Sequence, residues 1–186
     1  MTCIVGLVTE KKVYMGSDSA GSDGFTYSIR QEPKVFRRPG DRGEMIIGYT
    51  TSFRFGQLLE HALEVPIQPK NMDDHKYMVT SFMNAIRKCL KDGGHITKKD
   101  EVERGGTALI GYHGKLWQME RDLQIALSPT MGDAIGSGVY AAMGALHILS
   151  GLALAPEKKI KRALEVAEAC VTTVKGPFKI ISGATP

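Results

Sequence analysis

The order of strand-like and helix-like segments constrains the fold of this chain more than any other feature of its sequence. Apolar patterns typical of strands fill most of the first fifty residues, and the pattern then changes to the helical period. The predicted segments are strands within 3–50, two helices within 53–92, strands within 107–127, two helices within 139–173 and a strand at 178–181. Because strands and helices come in separate blocks, the sequence predicts an α+β fold and not alternating βαβ units.

Local signals set the boundaries of these segments. Ser52 and Asp73 have side chains that cap helix N-termini, so a helix is predicted to begin directly after each. Pro156 is favoured in the first turn of a helix and is predicted to open the last one. Two stretches have weak patterns. The first, 19–33, is predicted to be a loop or broken strand, and the second, 95–105, is predicted to be an exposed loop.

Composition bounds the class of protein. A chain of 186 residues with 42% hydrophobic and 24% charged residues suits one globular domain covering 1–186. The net charge of +4 is small and no basic stripe is interleaved with aromatic residues, which argues against nucleic-acid binding. The three cysteines lie far apart without the spacing of metal ligands and fit a reducing compartment. Without a signal peptide or an apolar stretch of transmembrane length, we expect a cytoplasmic protein with no membrane partner, no metal and no other cofactor.

The start of the chain carries a candidate nucleophile. Thr2 follows Met1, and methionine aminopeptidase usually requires a small second residue. If Met1 is removed, Thr2 carries both a hydroxyl and a free amine, which together make a nucleophile with its own base. The reference pKa of an α-amine is about 7.7–8.0, so the amine is partly neutral near pH 7 and can accept the hydroxyl proton.

Two charged residues further along the chain suit this chemistry. An ammonium such as that of Lys34 would lower the pKa of a nearby amine and reduce the free energy needed to form an alkoxide. Asp18 could hold Lys34 charged and in place. Taken alone, the three residues are also compatible with a strand start at Thr2, a turn at Asp18 and a solvated surface charge at Lys34.

The sequence around these residues resembles the opening of proteasome β-type subunits and is most similar to the bacterial HslV-type peptidase. Sixteen positions separate Thr2 from Asp18, and sixteen separate Asp18 from Lys34. This is the spacing of the family's catalytic Thr, Asp and Lys. A later segment around Ser137 resembles the family's Gly-Ser-Gly turn, whose Ser supports the catalytic Thr. The four segments that carry the resemblance are 2–6, 16–20, 34–38 and 134–138.

The resemblance implies a fold and a catalytic set. The fold is a four-layer αββα sandwich of the N-terminal nucleophile (Ntn) hydrolase type, in which helices flank two stacked antiparallel sheets. The catalytic residues would be Thr2, Asp18, Lys34 and Ser137, with Ser137 sharing a proton with the Thr2 amine. An alternative role for Ser137 is to cap the helix that begins after it.

The resemblance also places an oxyanion site and a substrate pocket. The family binds the oxyanion with a backbone N–H in the turn after the strand predicted at 45–50. That turn contains Gly48 and Thr51, and Thr51 stands where the family has glycine, which keeps the N–H but crowds the approach. The substrate pocket would lie near four residues, of which Glu32 suggests a preference for basic side chains. The four are Gly21, Ser22, Glu32 and Phe36.

One part of the family's pattern is missing. The proteasome has an Asp and a second Ser after a late helix, as helpers of the catalytic Thr, but the comparable stretch 169–173 contains no Asp. Either Asp18, Lys34 and Ser137 suffice, or the activity is reduced. The five histidines are scattered without ligand spacing, and a Ser-His-Asp triad has no support beyond the presence of those residue types.

Three functions are compatible with these residues. The first is a threonine peptidase that cleaves peptides or unfolded proteins inside a homo-oligomeric ring, fed in some relatives by an ATP-driven unfoldase of the AAA+ class. The second is an amidase that acts on a small amide. The third is a structural or assembly ring protein, of a kind that phages encode, which kept the fold and lost the activity. The first two need the removal of Met1, because the Thr2 nitrogen is otherwise an amide and not a base.

Overall fold

The computed structural model describes residues 2–183, and its elements confirm the α+β class. The strands are β1 Cys3–Thr9, β2 Lys12–Ser17, β3 Ala20–Ser22, β4 Tyr27–Ile29, β5 Val35–Arg38, β6 Met45–Tyr49, β7 Thr97–Lys99, β8 Val102–Arg104, β9 Ala108–Tyr112, β10 Lys115–Met119, β11 Ile125–Leu127, β12 Gly132–Gly136 and β13 Lys179–Ser182. The helices are α1 Phe53–His61, α2 Asp74–Tyr77, α3 Met83–Asp92, α4 Val139–Ser150 and α5 Pro156–Cys170, and a π-helical turn, Met78–Phe82, joins α2 to α3.

The strands form two larger antiparallel sheets and two short ribbons. The four-stranded sheet has the order β12-β1-β2-β13, and the five-stranded sheet has the order β11-β10-β9-β6-β5. The ribbons pair β3 with β4 and β7 with β8. Because β1 has a partner on each side, the residues near the start of the chain lie in the middle of a sheet.

Alternation along the strands divides the apolar side chains among three buried clusters. In β1, Cys3 and Val5 pack with residues of α4 and α5. The residue between them, Ile4, packs with Ile46 and Leu109 of the other sheet. The third cluster joins the five-stranded sheet to α1, α3 and the π-helical turn. The two sheets therefore share a buried interface, and each also packs against helices.

The predicted helix starts are confirmed. The Ser52 side chain accepts a hydrogen bond from the N–H of Phe55 at 3.1 Å, and Asp73 accepts one from the N–H of Lys76 at 2.9 Å. Pro156 occupies the first turn of α5. Within residues 2–183, no helix combines the length and the apolar character that crossing a membrane requires.

Other boundaries were predicted wrongly where burial gave no signal. The stretch 95–105 is not a loop but holds the β7–β8 ribbon, whose exposed strands have no apolar face to reveal them. The stretch 19–33, predicted as a loop or broken strand, matches the second alternative, because it contains two short strands that pair as a second ribbon, β3–β4. Strand β12 was not predicted, because its glycines and an aspartate interrupt any apolar pattern, and its pairing with β1 relies on backbone hydrogen bonds. The last helix ends at Cys170, short of the predicted Thr173.

A glycine allows strand β6 to pack closely on helix α1. A Cβ atom at Gly56 would lie 2.1–2.4 Å from ring carbons of Tyr49, which is closer than real carbon atoms approach. The Tyr49 ring is 4% exposed and has three aromatic neighbours with centroid distances of 6.3–6.5 Å: Phe36, Phe53 and Phe55. Any side chain at position 56 would therefore displace a buried ring.

We expect Gly56→Ala to lower the free energy of unfolding by about 1–3 kcal/mol, because an added methyl group overpacks a filled site. Gly144→Ala in α4 is the matched control, since a Cβ there meets nothing within 4 Å. The control should raise stability by up to about 1 kcal/mol through helix propensity. Chemical denaturation measures both changes, and equal effects of the two variants would contradict the contact between Tyr49 and Gly56.

Candidate active site

Four strand ends bring the predicted catalytic residues to one edge of the two sheets. Thr2 precedes β1 and Asp18 follows β2, and these strands are antiparallel, so the two residues are close. Ser137 follows β12, whose last residue pairs with the first residue of β1. Lys34 precedes β5 of the other sheet and reaches Asp18 across the interface between the sheets.

Asp18 is the fixed point of the site. Its carboxylate is fully buried, and it accepts hydrogen bonds from the N–H of Cys3 at 3.0 Å and the N–H of Ala20 at 3.1 Å. It also accepts one from Lys34 Nζ at 2.7 Å. The backbone N–H of Asp18 in turn donates to the carbonyl of Cys3 at 3.2 Å. Asp18 therefore holds both the lysine and the backbone directly after Thr2.

Lys34 is a buried cation beside the candidate nucleophile. Its side chain is 1% exposed, and Nζ donates to Asp18 and, at 2.6 Å, to the carbonyl of Ala20. Burial lowers the pKa of Lys34, although the charge and hydrogen bond of Asp18 oppose this shift. An ammonium has three donors, and within the described residues two of them are used. Lys34 lines the same small cavity as Thr2.

Ser137 contacts the candidate nucleophile, Thr2, directly. Its hydroxyl donates to the carbonyl of Thr2 at 3.3 Å and lies 3.1 Å from the hydroxyl oxygen of Thr173. The alternative role of Ser137 as a helix cap is wrong, because Gly138 occupies the cap position of α4 and no side chain bonds the helix start. Gly136 permits the close approach of the strands, since a Cβ there would lie 2.1 Å from the Thr2 carbonyl oxygen.

Thr173 is a site residue that the sequence analysis missed. It is 7% exposed and lies just after α5, in the stretch where the resemblance predicted helper residues. The stretch has no Asp, but its threonine hydroxyls were a usable signal in the sequence. Thr173 links Ser137 to this stretch, so the three hydroxyl-bearing residues Thr2, Ser137 and Thr173 form one connected group.

The turn after β6 carries an unusual backbone conformation at the predicted oxyanion residue. Thr51 has a φ of 85°, in the region that favours glycine. Its hydroxyl accepts a hydrogen bond from the N–H of Thr107 at 3.2 Å, which helps to hold this conformation. Gly48 lies deeper, where a Cβ would be 2.5 Å from Ile4 and 2.7 Å from Met15, so its contacts are those of a packing residue between the sheets.

A small cavity of about 80 Å³ lies beside Thr2. Of the predicted pocket residues, Ser22 lines it, and Gly21 lies behind the Phe53 ring. Phe36 is buried in the core next to Tyr49, and Glu32 is exposed and does not line the cavity. Tyr49 and Phe53 were missed as pocket residues, although their positions around the Thr50-Thr51 turn are a usable signal. The lining residues are Thr2, Ser22, Lys34, Tyr49, Thr50, Thr51, Ser52 and Phe53.

A larger cavity of about 450 Å³ shares Thr50 and Thr51 with the small one. Ser137 lines it, together with the polar side chains of Gln118, Glu120 and Arg121. Its other lining residues are Thr107, Ala134, Ile135, Gly136 and Val139. The turn that carries Thr51 therefore borders two cavities.

The cysteine next to Thr2 does not compete as a nucleophile. Cys3 is fully buried, and this burial raises the pKa of its thiol to about 12. Only the thiolate is strongly nucleophilic, so the thiol is inert near neutral pH. Within residues 2–183, no three His, Cys, Asp or Glu side chains are grouped as metal ligands.

No protein-family model and no curated protein sequence matches this chain. Solved structures do match it over nearly its whole length. BPH from Thiobacillus denitrificans in complex with epoxomicin has a TM-score of 0.79 at 16% identity and covers 100% of both chains.

Two further structures have a TM-score of 0.68. Eukaryotic HslV from Trypanosoma brucei is 16% identical over 97% of this chain and 98% of its own. Anbu (ancestral beta-subunit) from Yersinia bercovieri is 11% identical over 98% of this chain and 81% of its own. The chain therefore has the proteasome β-subunit/HslV-type fold that its N-terminal motifs predicted.

Proposed function

We propose that this protein is a proteasome-like hydrolase whose nucleophile is Thr2, exposed by the removal of Met1, which lies outside the described residues. The observation that carries the proposal is the buried pair of Lys34 and Asp18 beside Thr2. Taking two charges out of water has a large desolvation penalty, so such a pair is weak evidence for stability. Beside the Thr2 hydroxyl, however, the ammonium of the pair can lower the free energy needed to form an alkoxide.

The proposed reaction is acyl transfer to Thr2. Its hydroxyl oxygen forms a bond to the peptide carbonyl carbon, and its α-amine accepts the hydroxyl proton. The ammonium of Lys34 lowers the pKa of that amine, and the N–H of Thr51 stabilises the oxyanion. The peptide C–N bond then breaks as the leaving amine takes the proton, and water hydrolyses the ester to restore Thr2. Ser137 positions Thr2 through its carbonyl and relays protons near the amine.

The proposal includes an assembly. We infer one domain over 1–186 with the four-layer αββα arrangement, a homo-oligomeric cytoplasmic ring, and peptides or unfolded proteins as substrates that an AAA+ unfoldase delivers. Supporting the assembly, α4 and the loop after it expose large apolar side chains that a partner subunit would cover. Tyr140 is 90% exposed, Ile148 is 71% exposed and Leu152 is 50% exposed.

Removal of Met1 and the reactivity of Thr2 can be tested together. We expect the intact mass to lack Met1, and a threonine-directed peptide epoxyketone to add one inhibitor mass per chain. Thr2→Ala should abolish labelling, whereas Thr97→Ala, which removes an exposed threonine of β7, should leave it unchanged. A retained Met1, or labelling that survives Thr2→Ala, would contradict the proposal. An unlabelled ring in native mass spectrometry would favour the structural function.

The rate of epoxyketone labelling should depend on pH with a bell shape. The rate rises as the Thr2 amine loses its proton, from a reference pKa of about 7.7–8.0 that Lys34 lowers. It falls again as Lys34 loses its own proton, below the ordinary value of 10.5, because burial lowers the pKa of that ammonium. Intact-mass time courses across the pH range measure both limbs.

The matched variants are Lys34→Met and Lys98→Met, which remove a buried and an exposed lysine. Lys34→Met should slow labelling by about 10²–10³-fold, the usual loss when one preorganised electrostatic contact to the reacting groups is removed. Lys98→Met should keep the full profile. A parent rate that climbs steadily beyond pH 10.5 would show that the Lys34 ammonium is not needed.

Ser137→Ala should separate chemistry from stability. We expect it to slow labelling by at least about tenfold, because Thr2 loses a contact that positions it. Stability should fall by only about 1 kcal/mol, the usual net value of a hydrogen bond, because Ser137 does not cap α4. Ser150→Ala, which removes a hydroxyl bonded at 2.7 Å to a helix carbonyl, is the control for stability alone. Equal labelling rates in the two variants would contradict the role of Ser137.

A further inference from the structure

The small cavity beside Thr2 has room for only a small group. Its volume is about 80 Å³, against about 450 Å³ for the neighbouring cavity. Sites that hold drug-sized ligands usually measure about 300–1,000 Å³. The cavity beside Thr2 therefore has much less room for a large side chain than its neighbour has.

The first wall of the cavity, Tyr49, is fixed by its surroundings. The ring is 4% exposed and lies against Gly56, where even a single added carbon would overlap it. The rings of Phe36, Phe53 and Phe55 also lie near it, with centroid distances of 6.3–6.5 Å. The ring therefore cannot withdraw into the core to admit a larger group, because closely packed interiors leave no space for it.

The second wall, Phe53, has two cations near its ring. The guanidinium carbon of Arg30 lies 4.8 Å from the ring centroid, and Lys34 Nζ lies 6.0 Å from it. A Cβ at Gly21 would lie 3.1 Å from the ring, so the β3 backbone closes the side behind it. Cations over the ring face attract it and hold its orientation.

The charge of the cavity also restricts what enters. Among its eight lining residues the charged one is Lys34, and none is acidic. A basic side chain would meet an ammonium without a carboxylate to pair with it. An acidic side chain would add a second carboxylate to Asp18, and the one ammonium cannot neutralise both in a buried site.

We propose that this cavity selects substrates with a small uncharged side chain, such as alanine, serine or valine, on the carbonyl side of the cleaved bond, and that Tyr49 and Phe53 set the size limit. The proposal rests on the proposed function, since it concerns the group that Thr2 attacks. It replaces the expectation of a basic side chain drawn from Glu32, which is exposed and does not line the cavity.

The test uses peptide epoxyketones that differ only in the side chain next to the reactive group. With the Met1-free protein, we expect the alanine and valine probes to label at least tenfold faster than the leucine, phenylalanine, lysine and aspartate probes. Rates that are equal, or faster for any of the large or charged probes, would overturn the size limit while leaving the nucleophile intact. A panel in which no probe labels the protein would instead refute the proposed function and, with it, this inference.

A pair of variants tests the wall itself. Phe53→Ala should raise the rate of the leucine and phenylalanine probes relative to the alanine probe by at least tenfold. Phe25→Ala removes the same ring from a side chain that is 99% exposed, and it should leave the order of the probes unchanged. An unchanged order in Phe53→Ala would overturn the assignment of that wall. If this variant is unstable, Phe53→Leu and the panel on the parent protein decide the question.

Discussion

The buried ion pair between Lys34 and Asp18 is the interaction on which the rest of the site depends. It joins the two sheets at one edge, with Lys34 coming from one and Asp18 from the other. Asp18 also accepts hydrogen bonds from the backbone N–H groups of Cys3, Ala20 and Lys175, so the same carboxylate positions the lysine and the strand that begins after Thr2. Two sheets that packed slightly differently would separate the charges and leave each buried without its partner, at a large penalty in free energy.

The site departs from the resemblance at positions where this chain uses other groups. Thr51 adopts a glycine-like φ of 85° and is held by its own hydroxyl. Thr173, with Ser137, occupies the region in which the proteasome has its late Asp and second Ser. In both places a threonine hydroxyl hydrogen-bonds where the family has another residue. The fold therefore accommodates a different set of side chains around the candidate nucleophile, Thr2.

The sequence allowed the α+β class and the helix starts to be predicted from the order of segments and from local caps, whereas the meeting of Thr2, Asp18 and Lys34 was implied by the resemblance. It did not reveal β12, because that strand pairs through its backbone and has little apolar pattern. It also did not reveal the aromatic walls, Tyr49 and Phe53. Their positions on either side of the predicted turn are a usable signal, but their role as walls depends on how a strand end, a turn and a helix start pack together.

The assembly of the site from four separate strand ends has a consequence for the newly made chain. Asp18 and Lys34 belong to different sheets, and Ser137 reaches Thr2 across 135 residues of sequence. A chain in which only the four-stranded sheet has formed brings Ser137 to Thr2, because β12 pairs with β1, but it lacks Lys34, which precedes β5 of the other sheet. Under the proposed function, hydrolytic competence would therefore need both sheets in place, so that folding itself would guard against premature cleavage.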